Sequence, residues 1–249
     1  MTKIAIKGLS HLYPDGHCGI RNINLQIQPG ELVVIAGQNG SGKTTLCKHI
    51  NGLLKPTSGN VFIGDLQVDR NPSKARQLVG MVFQNADSQI VGETVSSDIA
   101  FGPENLGLKR AEINARVKKI IQIVGLDGKE DNSPHTLSGG EKRKLAIAGV
   151  LAMNPEIIIF DEPFANLDYP GSVQILDQIV MLHQTQRTII IITHELEKII
   201  SLASRLVILK DGELAKEGIP STIIKDVEQF GIREPCSSKL GYGLQSWRN

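Results

Sequence analysis

The sequence has too little cysteine for a disulfide framework. Its three cysteines, Cys18, Cys47 and Cys236, are odd in number, far apart and free of any C-x-x-C pair, which also argues against a zinc site. They read as free thiols. Long hydrophobic runs are missing too: Ile157 to Phe160 and Thr188 to Thr193 are strand-sized, far short of the roughly 18 residues a spanning helix requires. Net charge is nearly absent, with 27 Lys+Arg against 26 Asp+Glu, so no strong overall field draws the chain to nucleic acid or to an anionic membrane surface. Any membrane role has to come through a protein partner. The start, Met1-Thr-Lys-Ile-Ala-Ile, carries one lysine and no long apolar core before Lys7-Gly8, so it lacks the layout of a secretory signal and a cytosolic protein is expected. There is no internal repeat and no low-complexity segment. What remains is an ordinary globular composition over 249 residues, enough for one large domain or two small ones.

Against that plain background one segment is specific. Residues 37 to 45 read GQNGSGKTT and fit G-x-x-x-x-G-K-[ST], a loop whose glycines let the backbone fold closely around an anion and turn N–H groups onto phosphate oxygens. Gly37, Gln38, Asn39, Gly40, Ser41, Gly42, Lys43, Thr44 and Thr45 are therefore candidate nucleotide-binding residues. Lys43 supplies charge to the outer phosphates, Thr44 offers a hydroxyl to Mg²⁺, and a helix starting near Gly42 aims its positive dipole end at the same spot. The context fits, because Glu31 to Ala36 is a buried-strand run and Thr44 to Leu53 suits a helix.

The rest of the chain surrounds this loop with further elements. Ile4, Ile6 and Leu9 begin an edge-strand pattern, Tyr13-Pro-Asp-Gly16 is a turn, and Ile23, Leu25 and Ile27 alternate, so an N-terminal antiparallel β layer is expected. Short strands follow at Gly59 to Gly64 and Val79 to Phe83. From Asn85 to about Thr136 the character is helical, with Ile113, Val117, Ile120, Ile121 and Val124 at helical spacing. Beyond it lie a strand at Ile157 to Phe160, a helix at Gly171 to Leu182, and strands at Thr188 to Thr193 and Leu206 to Leu209, the last closing on an Asp211-Gly212 hairpin turn. Strands without polar interruption belong in a parallel sheet covered on both faces. The expected fold is α/β: a mostly parallel nucleotide-binding core with its β layer over residues 1–84 and 154–218, an inserted helical unit at 85–153, and a C-terminal tail at 219–249 with no assigned element.

Four more candidates attach to this core. Ile157-Ile-Ile-Phe-Asp161-Glu162 is a strand ending in two adjacent carboxylates, which strand alternation sends in different directions. Asp161 is assigned to the metal and Glu162 to the general base. Gln84, just past a strand, offers an amide oxygen to the metal or the water, and His194, at the end of another strand, offers an imidazole to the γ-phosphate. Ser138, Gly139 and Gly140 open an amphipathic helix from Glu141 to Met153 and so present free N–H groups to an anion.

In this order, the phosphate loop, Gln84, Leu137-Ser-Gly-Gly-Glu141, Asp161-Glu162, Asn166-Leu-Asp168 and His194 closely resemble the ATP-binding cassette ATPases, from about Ile4 to Gly218. The resemblance implies a P-loop NTPase core that binds ATP and Mg²⁺ and works as a dimer. It implies that Ser138, Gly139 and Gly140 bind the γ-phosphate of ATP held by the other protomer, that Tyr13 stacks on adenine, that Gln84 couples the core to the partner, that Asp168 crosses the dimer interface and that His194 senses the γ-phosphate. A narrower resemblance, in Val82 to Val95 and Asp98 to Gly107, is to the ATPase subunits of energy-coupling factor transporters, importers of cobalt, nickel and vitamins. It implies a transmembrane coupling protein and a substrate-binding membrane subunit as partners, a second ATPase subunit identical or related to this one, and a place at the cytoplasmic face of the membrane. Two departures stand out: Ala86 where that group more often has Pro, and Phe164-Ala-Asn166 before Leu167-Asp168. A soluble cassette ATPase of DNA repair is the rival, but Lys43 and Leu137 stand too close in sequence to hold its long coiled-coil arms. A nucleotide-binding regulator that does not hydrolyse is disfavoured because Lys43 and Glu162 are both present.

The segment from Asp87 to Gly107 is expected to dock the membrane partner. Ile90, Val91, Val95, Ile99 and Phe101 are its apolar anchors, and Asp87, Glu93, Asp98 and Glu104 its acidic rim, suited to a basic amphipathic helix.

Overall fold

The computed structural model describes residues 2–248. The chain opens with two antiparallel strands, β1 (Ile4–Leu12) and β2 (Cys18–Ile27), followed by β3 (Leu32–Ala36) and α1 (Lys43–Ile50). Next come β4 (Ser58–Ile63), β5 (Leu66–Gln67), α2 (Pro72–Leu78) and β6 (Val79–Val82). Three helices follow in one stretch, α3 (Val95–Asn105), α4 (Arg110–Val124) and α5 (Gly139–Ala152). The chain then alternates through β7 (Ile157–Asp161), α6 (Tyr169–Gln184), β8 (Thr188–Thr193), β9 (Arg205–Lys210) and β10 (Glu213–Gly218), and ends in short helices α7 (Pro220–Ile223) and α8 (Cys236–Lys239).

Two sheets result. The larger has the order β10-β9-β3-β8-β7-β6, parallel except for the β9–β10 hairpin, and the smaller has the order β2-β1-β4-β5. The central strands Leu-Val-Val-Ile-Ala, Ile-Ile-Ile-Phe-Asp and Thr-Ile-Ile-Ile-Ile-Thr are buried at every position, because both faces of the sheet are covered. Period-two alternation divides their side chains between two cores. Val33, Ile35, Ile157, Ile159, Ile190 and Ile192 join the antiparallel layer and Leu46 and Ile50 of α1. Val34, Ile158, Phe160, Ile189 and Ile191 face the other way, onto Leu145 of α5 and Ile175 and Ile179 of α6. Each such fully buried Ile contributes about 1.5–3 kcal/mol of apolar transfer.

One expectation changes. β1 is an interior strand of its sheet, paired with β2 on one side and β4 on the other. Alternation reports which face of a strand is buried and is silent about its neighbours, so the edge reading had no physical support. The hairpin turn at Asp211 (φ 52°) and Gly212 (φ 80°) is where it was expected. The tail from Ile219 is folded onto the core: Ile223, Ile224, Val227 and Ile232 are buried in it, and Trp247 packs on Tyr169 with ring centroids 5.1 Å apart.

Candidate active site

β3 runs straight into the phosphate loop, which ends at the N-cap of α1. Gly42 has φ 94°, and a Cβ there would lie 2.5 Å from Gly19 O and 2.7 Å from Ile20 Cγ2. Only glycine fits against the strand behind it. The N-terminus of α1 has no side-chain cap and no acidic residue in its first turn, so its N–H groups are left for an anion. Ser41 Oγ, in the same loop, is buried with no hydrogen-bond partner among the described residues. Lys43 is only 6% exposed and donates to Gly37 O at 2.7 Å and Gln38 O at 2.8 Å. Burial pulls the pKa of Lys43 down, and the nearby Glu162 and Asp161 carboxylates oppose that pull.

The parallel sheet brings the acidic strand end to this loop. Thr44 Oγ1 donates to Asp161 Oδ2 at 3.0 Å, and burial raises the Asp161 pKa while that hydrogen bond pulls it the other way. Glu162 stands just beyond β7 at φ 47°, an uncommon conformation for a residue with a side chain, and its N–H donates to Ile192 O at 2.9 Å. Its carboxylate is held from β8: Oε2 accepts from Thr193 Oγ1 at 3.1 Å, while Oε1 accepts from His194 N at 3.1 Å and lies 2.8 Å from His194 Nδ1. A cleft of about 380 Å³ is lined by Asn39, Gly40, Gly42, Lys43, Thr44, Thr45, Gln84, Asp161, Glu162 and His194, with Tyr13 at one wall. Gln38 faces a second cavity of about 900 Å³, between the loop and the folded tail.

The oxygens of Thr44, Asp161 and Gln84 are hard donors on one cleft, a set that suits Mg²⁺. Among the described residues no three His, Cys, Asp or Glu side chains converge into a cage.

Ser138, Gly139, Gly140 and Asp168 stand apart from this cleft. Ser138 Oγ accepts from Glu141 N at 3.3 Å and Glu141 Oε2 accepts from Ser138 N at 2.9 Å, a capping box at the start of α5. An ion pair with Lys129 holds the Glu141 carboxyl down at about 2. A Cβ on Gly139 or Gly140 would meet nothing within 4 Å, so this helix start faces open space. Asp168 is exposed and caps α6, its Oδ1 accepting from Gly171 N at 2.9 Å.

Sequence reasoning missed two features. Gly19 and His17 also line the cleft. The signal was the Tyr13-Pro-Asp-Gly16 turn itself, which must bring the chain back past Tyr13. Arg143 of α5 is buried and donates to Phe83 O at 2.8 Å, tying the Ser138 helix to the residue before Gln84. No local pattern identifies that contact, which depends on packing between distant segments.

The expected acidic rim is corrected. Asp98 is 7% exposed, and its Oδ1 accepts from Val91 N at 2.7 Å and Gly92 N at 2.9 Å, so it shapes the loop from within. Asp87 is paired in the chain with Lys142 at 2.6 Å. Val95 and Ile99 are fully buried core residues, which leaves Val91 (60% exposed) and Phe101 (51%) as the large exposed apolar side chains of the segment. Both line a groove of about 250 Å³ with Leu53, Met81, Phe83 and Met153. Its apolar character survives, and of its four carboxylates Asp98 is spent inside the fold and Asp87 on a surface ion pair, while Glu93 and Glu104 stay exposed.

Comparison with known proteins agrees with this geometry. Residues 20–165 match the ABC transporter family. The energy-coupling factor transporter ATP-binding protein EcfA of Methanocaldococcus jannaschii is 43% identical over 92% of this chain and 83% of its own length. Its counterpart EcfA2 of Clostridium tetani is 44% identical over 97% and 88%. The solved structure of cbiO1 from Clostridium perfringens, part of the ABC transporter complex cbiONQ, superimposes with a TM-score of 0.80 at 34% identity, covering 91% of this chain and 94% of that one. The dimeric post-hydrolysis ATP-binding cassette MJ0796, bound to ADP and Pi, does so with a TM-score of 0.78 at 30% identity over 87% and 98%. The chain belongs to the ABC transporter family of ATPases and, within it, to the energy-coupling factor ATP-binding proteins.

Proposed function

We propose that this chain hydrolyses ATP, with Mg²⁺, to drive uptake of a metal ion or vitamin at the cytoplasmic face of the membrane. On this reading it works paired with a second ATPase subunit on a transmembrane coupling protein and a substrate-binding membrane subunit. The supporting observation is the convergence of Lys43, Thr44, Asp161 and Glu162 on one cleft at the end of the parallel sheet. Among the described residues no helix is long and apolar enough to cross a membrane, so contact with the solute falls to the membrane subunits.

In this reading the backbone N–H groups of residues 37–42 and of the α1 N-terminus bind the phosphates, and Lys43 turns from Gly37 O and Gln38 O to the outer ones. Thr44, Asp161 and Gln84 hold Mg²⁺, which when bound neutralises charge developing on the phosphoryl oxygens. Glu162 orients the attacking water and accepts its proton, and the bonds from Thr193 and His194 hold its carboxylate in place. Tyr13 carries the base. Ser138, Gly139 and Gly140 complete the partner's site, Asp168 crosses the interface, and the 1–84 and 154–218 core moves against the 85–153 helical unit through Gln84. The Val91 and Phe101 groove receives a helix of the coupling protein.

The test is Glu162→Gln, assayed in the full membrane complex. The amide fills the same space but is a far poorer proton acceptor, so ATP binding stays and turnover falls about 10²–10⁴-fold. Turnover at the wild-type rate would remove Glu162 from its role as the base.

A further inference from the structure

Tyr13 is fixed on several sides and left open on one. Its hydroxyl lies 2.9 Å from Thr45 Oγ1, and its ring packs so closely on Gly19 that a Cβ there would come within 2.7 Å of Tyr13 Cε2. The His11 ring meets it nearly perpendicularly, at 84° with centroids 4.5 Å apart. The ring that lies parallel to Tyr13 is that of His17, inclined by 22° with centroids 6.1 Å apart. The turn between them enforces the pairing. Tyr13 N donates to His17 O at 2.8 Å, Gly16 N donates to Tyr13 O at 2.9 Å, and Asp15 Oδ1 accepts from His17 N at 3.0 Å. Both rings line the cleft that holds Lys43 and Thr44. His17 is exposed, and among the described residues neither of its ring nitrogens has a hydrogen-bond partner.

A flat aromatic guest between two rings needs about 7 Å, twice the contact distance of about 3.5 Å. The two centroids stand short of that by roughly 1 Å, which the exposed His17 side chain covers by a small χ adjustment. Tyr13 cannot make the same adjustment, because Thr45, Gly19 and His11 hold it.

Resting on the reading of this cleft as an ATP site, we propose that His17 is a second base-stacking residue, closing on the face of the nucleobase opposite Tyr13. Tyr13 is the fixed wall and His17 the adjustable one. The pair makes recognition of the base separable from recognition of the phosphates, since the imidazole stacks on the base alone.

The experiment is calorimetric titration of the full chain in the Glu162→Gln background, with ATP and, separately, inorganic tripolyphosphate, which has no base. His17→Ala weakens ATP binding by about 5- to 30-fold, the lower part of the range for loss of one stacking ring, and leaves tripolyphosphate affinity within twofold. His17→Phe, which keeps a ring and removes both nitrogens, restores ATP affinity to within about threefold of the parent. The inference is overturned if His17→Ala binds ATP as the parent does, if both ligands weaken equally, or if His17→Phe is as poor as His17→Ala. Failure of the underlying site reading looks different: the parent itself would then bind ATP no better than tripolyphosphate, and Tyr13→Ala would change neither.

Discussion

Gly40 and Gly42 have the same sequence signature and opposite surroundings, and that contrast makes a quantitative prediction. Both hold positive φ, 81° and 94°, so an alanine at either position is strained. Gly40 has nothing within 4 Å of a built Cβ, whereas at Gly42 the Cβ lands 2.5 Å from Gly19 O and 2.7 Å from Ile20 Cγ2. Gly40→Ala therefore costs about 1–2 kcal/mol of backbone strain alone. Gly42→Ala adds an overpacking cost of about 1–3 kcal/mol, because the nearest obstacle is β2 backbone, which cannot rotate away as a side chain would. At about 2–4 °C per kcal/mol for a chain of this size, the melting temperature falls by about 2–8 °C for Gly40→Ala and by about 4–20 °C for Gly42→Ala. Differential scanning calorimetry of the nucleotide-free chain measures both, and ATP titration at 10 °C, where both variants are folded, separates stability from binding. Displacing the N-cap of α1 should abolish detectable binding in Gly42→Ala. Equal melting temperatures for the two variants, or wild-type ATP affinity in Gly42→Ala, would refute the argument from close packing against Gly19.

Mixing Lys43→Ala with Ser138→Arg subunits should restore ATPase activity above either variant alone, since the mixed dimer has one site damaged twice and one intact; no recovery in isolated mixed dimers would count against composite sites. Val91→Asp with Phe101→Asp should reduce co-purification of the membrane subunits at least tenfold while ATP affinity is unchanged, because both side chains are exposed in the groove and bury no core; undiminished capture would move the docking site elsewhere. His49 is buried with its ring 4.8 Å from that of His11, and burial first, then the His11 charge, pulls its pKa from 6.5 to about 4. The unfolded state binds a proton that the folded state refuses, so stability is lost as pH falls from about 6.5 to about 4, by roughly 2–3 kcal/mol in total. Urea melts at pH 7 and pH 4.5 read the loss, and His49→Leu should flatten it; an unchanged slope in that variant would place the titration elsewhere.

The legible parts of this protein were those where a local requirement selects the residue. A loop that wraps phosphate needs Gly37, Gly42 and Lys43 at fixed spacing, and a strand buried on both faces needs runs such as Ile157 to Phe160. Asp98 was misplaced on the acidic rim because charge on a sequence does not say which way a carboxylate points: it looks identical in sequence whether it faces a partner or accepts from Val91 N and Gly92 N. β1 was misread for a related reason, since pairing with β4 is a contact between segments far apart in the chain.

By itself the sequence determined the phosphate loop, the acidic strand end, the helix start at Ser138 and the split between parallel core and antiparallel layer, because each rests on backbone geometry or periodicity within a few residues. Tertiary structure alone decided that Thr44 meets Asp161, that Thr193 and His194 grip Glu162, that Arg143 ties the insert to Phe83, and that His17 lies parallel to Tyr13. Those are distances across strands or turns, set by the register of the sheet and the packing of the layers, and local spacing in the chain does not encode them.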